Sequence, residues 1–160
     1  MTKQIDINLM KSLFDYRDGE LFWKIDRGSK KVKGLKAGYI SNGYKSVLIR
    51  PKNYLIHRII FLLHHGFCPK VIDHIDGNPL NNKIENLRMA TFSENQANYK
   101  KRSTNTSGHK NVYFYVRRNK WRAQLRFEKK TFAKDFEEYK DAVNFAKILR
   151  EKYHGEFANG

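Results

Sequence analysis

Sulfhydryl chemistry is almost missing from this chain: Cys68 is the single cysteine in 160 residues. That excludes an intramolecular disulfide and any cysteine-rich zinc site. Long hydrophobic runs are missing too. No stretch approaches the about 18 uninterrupted apolar residues that a membrane-spanning helix needs, and Met1-Thr2-Lys3-Gln4-Ile5-Asp6 has no signal-peptide hydrophobic region. The expected compartment is the cytoplasm, with no membrane partner. Negative charge is scarce as well. Lys and Arg number 32 against 16 Asp and Glu, a net of +16 with a pI near 9.9, and such an excess points to a polyanionic partner.

The excess is unevenly distributed. Residues 1 to 56 carry 12 basic against 5 acidic side chains, residues 57 to 98 carry 4 against 4, and residues 99 to 160 carry 16 against 7. Two basic flanks around a neutral centre fit a protein that grips phosphates on both sides of a site where a cation must also bind. At this length the chain can bury a real core, and two or three small modules is the natural division.

The neutral centre holds the chemistry. Ile72-Asp73-His74-Ile75-Asp76-Gly77-Asn78 is followed by Ile84-Glu85-Asn86-Leu87 and then by Ser93-Glu94-Asn95-Gln96. Val71 to His74 reads as a short apolar strand whose last two side chains point to opposite faces, so Asp73 and His74 can take different jobs. Asp76 to Asn82 is dense in turn residues and should form a tight loop that returns Asn86 toward the strand end. Thr91 or Ser93 can cap a short helix with Asn95 on its first turn. One carboxylate with one amide carbonyl makes a hard oxygen site, which suits magnesium better than zinc. An unligated His74 can take a proton from water.

These segments, with Asn81-Asn82-Lys83 before Ile84, resemble the HNH endonuclease family, and more closely its phage-type homing and free-standing members. The resemblance implies a ββα-metal nuclease core in which His74 is the general base and Asp73 and Asn95 are metal ligands. Asn86 would be the central Asn, holding the loop between the two strands and steering His74. The third position of the family's motif is Asn95 rather than His, an H-N-N variant. His57-Arg58 stands where a His-Arg pair is common in this subgroup, and is read as packing or phosphate-holding. His64 and His65 receive no ligand role.

Upstream, a helix is expected over about Ile7 to Tyr16, then a turn at Arg17-Asp18-Gly19-Glu20 into the strand Leu21 to Lys24. Arg27, Lys30, Lys31, Lys33 and Lys36 crowd one loop that would seek phosphates. Tyr44 to Ile49 alternates as a strand, and Tyr54 to His65 reads as an apolar helix. Tyr99 to Gly108 has the composition of a basic linker.

Beyond it, Asn111 to Val116, Trp121 to Phe127 and Lys130 to Lys134 read as three strands, followed by a helix from about Glu138 to Tyr153. Tyr139, Ala142, Val143, Ala146, Leu149 and Tyr153 form one apolar stripe on that helix. Val112, Phe114, Val116, Trp121, Ala123, Leu125 and Phe127 should face it, which leaves an opposite face that could enter a major groove. Lys120-Trp121-Arg122-Ala123-Gln124, Asp135-Phe136 with Asp141-Ala142, and His154-Gly155-Glu156-Phe157-Ala158-Asn159 resemble the plant Apetala and ethylene-response-factor DNA-binding domain. By that resemblance the sheet docks on DNA through Tyr113, Tyr115, Arg117, Arg122, Gln124 and Arg126, with Lys130 and Phe132 added from the third strand.

The expected fold is α+β: a small N-terminal α/β segment and HNH core over residues 1–98, a basic linker over 99–107, and a three-stranded antiparallel sheet packed on one helix over 108–160. The expected function is a metal-dependent, site-preferring DNA endonuclease of HNH homing type, using Mg2+ with Mn2+ as a substitute. Double-stranded DNA would be its partner in the host cytoplasm, with no obligatory protein partner evident. The rival is a DNA-binding regulatory protein with a degenerate, non-catalytic core. Residues 1–98 are expected to stand without the C-terminal module.

Overall fold

The computed structural model describes residues 5–98 and 104–158. It is mixed α and β, with several small antiparallel sheets, and divides into two compact units, Met1–Thr91 and Phe92–Gly160. This division follows Thr91, one short helix earlier than the boundary read from the sequence.

In the first unit, α1 (Ile7–Leu13) begins where Asp6 Oδ1 accepts the backbone N–H groups of Asn8 and Leu9 at 2.9 and 3.2 Å, satisfying donors that have no partner inside the helix. It stops three residues before the sequence-based limit. Phe14–Arg17 is instead strand β1, paired with β2 (Glu20–Trp23) across an Asp18-Gly19 turn with φ of 44° and 80°. A turn with both φ positive matches the twist of the strands it joins. The meander β3 (Tyr39–Ser41), β4 (Tyr44–Ile49) and β5 (Lys52–Leu55) follows. Helix α2 (Ile56–His65) takes over from β5, so Tyr54 and Leu55 belong to a strand, and Gly66 in the left-handed region ends the helix. Ile56, Ile59, Ile60 and Leu62 of α2 are buried with Met10, Phe14, Leu21, Trp23 and Val47, forming one core. Strands β6 (Val71–His74) and β7 (Leu87–Ala90) pair with Asp73 opposite Arg88 and His74 opposite Leu87.

In the second unit, α3 (Phe92–Asn98) precedes a hydrogen-bonded loop in which Gly108 N–H donates to Asn105 Oδ1 and Ser107 Oγ donates to Val112 O. Strands β8 (Val112–Tyr115), β9 (Lys120–Phe127) and β10 (Lys130–Phe136) form an antiparallel sheet with β9 central. Helix α4 (Tyr139–His154) covers one face. Val112, Ala123, Ala142 and Ala146 are its buried centre, and the two alanines, fully buried, let helix and sheet approach closely. Val116 departs from the expected pattern: it opens a 3-10 turn after β8 and is 79% exposed.

Candidate active site

The segment joining β6 to β7 is a loop built from its own polar side chains. Asp76 Oδ1 accepts from Asn78 N–H at 2.8 Å, Asn78 Oδ1 accepts from Leu80 N–H at 3.1 Å, and Asn81 Nδ2 donates to Asp76 Oδ2 at 2.7 Å. Asn86 closes it. Its Oδ1 accepts from Asp76 N–H at 3.0 Å while its Nδ2 donates to Asp76 Oδ1 and to Asn81 O at 2.9 and 2.8 Å. Burial would raise the Asp76 pKa, but hydrogen bonds from Asn81, Asn78 and Asn86, with the nearby His74, hold it below the ordinary carboxylate value.

His74 ends β6 and is buried, as are all four residues of that strand. Its Nε2 lies 3.0 Å from Asn82 Oδ1. Donation through Nε2 to the amide oxygen leaves the basic lone pair of a neutral His74 on Nδ1. The imidazole's hydrogen bond thus runs to Asn82, while Asn86 fixes the backbone on either side of the loop, Ile75 N–H donating to Asn86 O at 2.9 Å.

Asn82 is held from behind by the β1–β2 hairpin. It is 1% exposed, and a Cβ on Gly19 would lie 2.8 Å from Lys83 N and 3.1 Å from the Asn82 carbonyl carbon. Only glycine permits that approach. Tyr16 Oη accepts from Ile84 N–H at 3.1 Å, and Lys83 Nζ pairs with Asp18 at 2.8 Å.

A second histidine stands against the first. The His57 ring on α2 meets that of His74 edge-on at 5.1 Å, and Tyr44 on β4 lies 5.7 Å from His57 and 6.4 Å from His74. Burial, then the charges of His74 and Arg58, push the His57 pKa down to about 3, so it is neutral at physiological pH. Its Nδ1 is buried with no hydrogen-bond partner among the described residues. Arg58 faces elsewhere and donates to Pro69 O at 2.8 Å and Lys70 O at 3.3 Å, tying α2 to the entrance of β6.

Asp73 is 3% exposed and accepts at Oδ2 from Arg88 Nε, 2.9 Å away on the paired strand. Asn95 lies on α3 in the second unit and is half-buried. Among the described residues no cluster of three or more His, Cys, Asp or Glu side chains could hold a metal ion.

The uncovered face of the second unit carries Tyr113, Tyr115, Arg122, Gln124 and Arg126, with Arg117 in the adjoining turn. Lys130 and Phe132 were expected there and are on the other side. Phe132 pairs with Leu125 and stacks on Tyr153 of α4 at 4.4 Å and 22°, and Lys130 pairs with Phe127, which also contacts Tyr153. Side chains paired across antiparallel strands share a face, so β10 contributes Thr131, Ala133 and Asp135 to the open side instead. Asp135 organises it. Arg122 Nε and its terminal nitrogen reach the two Asp135 oxygens at 2.5 and 2.8 Å, and Arg118 donates at 3.0 Å. Those bonds hold Asp135 at a pKa of about 2 and raise that of Arg122. The Arg122 guanidinium lies 4.0 Å over the Tyr115 ring, and Tyr113 Oη donates to Gln124 Oε1 at 2.8 Å.

No individual role was read from the sequence for Asn82, Tyr44 or Asp135, although Asn82 and Asp135 stand inside segments that carry the two resemblances. His57, in its His-Arg pair, was read as packing or phosphate-holding, and the pair gave no signal of its contact with His74.

Residues 54–97 match the HNH endonuclease family. Protein 3.8 of Escherichia phage T7 is 35% identical over 117 residues, which is 72% of this chain and 94% of that protein. The Bacillus subtilis (strain 168) protein named "SPbeta prophage-derived putative HNH homing endonuclease YosQ" is 36% identical over 85 residues, 46% of this chain and 49% of that protein. No solved structure matches the chain. The chain therefore belongs to the family of phage T7 Protein 3.8 and carries a domain of the HNH endonuclease family.

Proposed function

We propose that this protein is a metal-dependent, site-preferring DNA endonuclease of homing type with a ββα-metal core. The observation that carries the reading is the buried His74, hydrogen-bonded to Asn82 next to Asp73, in a strand–loop–strand closed by Asn86. In this reading His74 Nδ1 accepts the proton of the attacking water. Asn82 holds the opposite ring nitrogen as a donor, and His57 packs the ring without adding charge.

Asp73 and Asn95 are the proposed metal ligands. Their donors are oxygens, and a magnesium ion typically takes only one or two protein oxygens besides water and phosphate, so the residues suit that ion, with manganese as a substitute. When bound, it supplies electrostatic stabilisation of the developing charge and the leaving 3′ oxygen. Arg88 opposite Asp73 fixes that carboxylate's orientation.

The second unit is proposed as an Apetala-like reader of the major groove of double-stranded DNA. Arg126 and Arg117 are the exposed arginines of the candidate set. Arg122 and Gln124 are held by Asp135 and Tyr113, which presents them in fixed orientations. Arg to guanine and Gln to adenine are the pairings such a face would use.

Supercoiled plasmid incubated with and without magnesium tests the reading. Cleavage should require the ion, and His74→Ala should lower its rate by roughly 10² to 10⁴ with DNA affinity intact. Binding without cleavage in any divalent metal would establish the regulatory alternative instead.

A further inference from the structure

The open sheet face of the second unit is laid out in rows across its strands. Asp135 of β10, Arg122 of β9 and Tyr113 of β8 stand opposite one another, and Gln124 with Ala133 forms the next row. A guanidinium has two usable edges, and Arg122 turns the one made by Nε and a terminal nitrogen to the two Asp135 oxygens. The pair is shielded, its side chains only 19% and 13% exposed, and the Arg122 guanidinium also lies over the Tyr115 ring. What remains is the end-on fork of the two terminal nitrogens, an edge that fits guanine O6 and N7. Asp135 also restrains its partner, because a guanidinium already facing a carboxylate is drawn less strongly to phosphates, which carry no base information.

Gln124 is fixed at both ends. Its backbone N–H donates to Asn111 O at 2.8 Å, its carbonyl accepts from Asn111 Nδ2 at 3.0 Å, and Tyr113 Oη donates to its Oε1 at 2.8 Å. One lone pair of Oε1 and the NH2 group are left, an acceptor beside a donor, which matches adenine N6 and N7. Ala133 opposite is exposed and ends at its Cβ, so no long side chain from β10 crowds that amide.

Alternate residues of a strand lie about 6.8 Å apart, close to twice the ~3.4 Å spacing of nucleotides along a DNA strand. We propose that Arg122 and Gln124 read a guanine and an adenine about two base pairs apart, and that Asp135 and Tyr113 are the positioning residues that set this specificity. This rests on the reading of the second unit as a major-groove reader, whose charge, 16 basic against 7 acidic side chains over residues 99 to 160, suits duplex DNA.

The test equilibrates the full chain with a randomised duplex library without divalent metal, so that binding is read whether or not the protein cuts. Single-base variants of the selected site are then compared by competition. The wild type should select a guanine and an adenine at that spacing, each preferred about 5- to 150-fold. Arg122→Lys, which keeps the charge without the fork, should abolish the guanine preference alone. Gln124→Glu should move the second preference from adenine to cytosine, whose N4 donates to a carboxylate. Tyr113→Phe should weaken the adenine preference and Asp135→Asn the guanine preference, each about two- to tenfold, with no loss of affinity for random duplex.

If Asp135→Asn does not fold, Asp135→Glu, which keeps the charge and shifts the carboxylate, is judged at the same base. A selected site without that pair of bases overturns the proposal, as do variants that lose affinity equally for every base, and either result leaves the sheet standing as a DNA surface. Variants that match the wild type base for base overturn the reading of the sheet itself, as does a wild type that selects no sequence.

Discussion

His57 makes the stability of the first unit depend on pH in a calculable way. Its imidazole is 5% exposed and its pKa falls from 6.5 to about 3 on folding. Unfolded chains therefore take up the proton first, and protonation draws the equilibrium toward them. The neutral group's contribution is fully present above pH 6.5 and is lost as pH falls from there toward 3. Linkage sets the slope at about 1.4 kcal/mol per pH unit for one proton, so descending from pH 7.5 to 5 costs about 2 kcal/mol. For a unit of this size that lowers the thermal midpoint by roughly 8 to 16 °C. Glu20 and Asp76, whose pKa values are lowered on folding, lose their contributions only as pH falls below the ordinary carboxylate range, so the window above pH 5 isolates histidine. Urea unfolding of the wild type and of His57→Gln across pH 5 to 7.5 measures the effect. His57→Gln has a lower absolute stability but a shallower pH dependence, by close to one proton. Parallel profiles would show that His57 is not the buried neutral group described.

Asn82→Ala strands the buried His74 N–H and should cost about 1 to 3 kcal/mol of stability, read in the thermal midpoint, with cleavage slowed about tenfold or more. Gly19→Ala forces a left-handed backbone, at about 1 to 2 kcal/mol, and also drives a methyl into Lys83 N. Gly66→Ala has similar φ and open space and bears the conformational cost alone, so calorimetry should find Gly19→Ala the more damaging. Asp135→Asn releases Arg122 and removes a negative charge from the open sheet face. Affinity for random duplex should then rise while preference for the cognate site falls, both measured by competition binding.

What was legible in the sequence is what repeats or stays local. The apolar stripe of α4 recurs every three or four residues, and Ala142 and Ala146 are buried where that pattern puts them. The loop from Asp76 to Asn86 could be read because each turn residue acts on a neighbour a few positions away. Phe132 was misassigned because strand register, not composition, decides which side a residue faces: with Leu125 opposite, it must join the helix. Tyr16 was read as helix because Phe14 to Arg17 alternates over only four residues, too few to outweigh the helix before it. Asn82 shows in the sequence only as one member of a turn-rich run, and the His57-Arg58 pair does not reveal what its histidine touches. A buried amide and a buried imidazole matter here through contacts that the chain forms only after folding.

The β1–β2 hairpin limits how small a working fragment can be. Tyr16 and Ile84 are 68 residues apart, and the family match begins at residue 54, so a piece cut to the matched boundaries would carry every motif residue and leave behind the hairpin against which Asn82 rests. Fragments drawn from this chain should begin at or before Asp6, and a library that randomises residues 16–19 would disturb Asn82, and with it the His74 ring, from a segment that contains none of the motif.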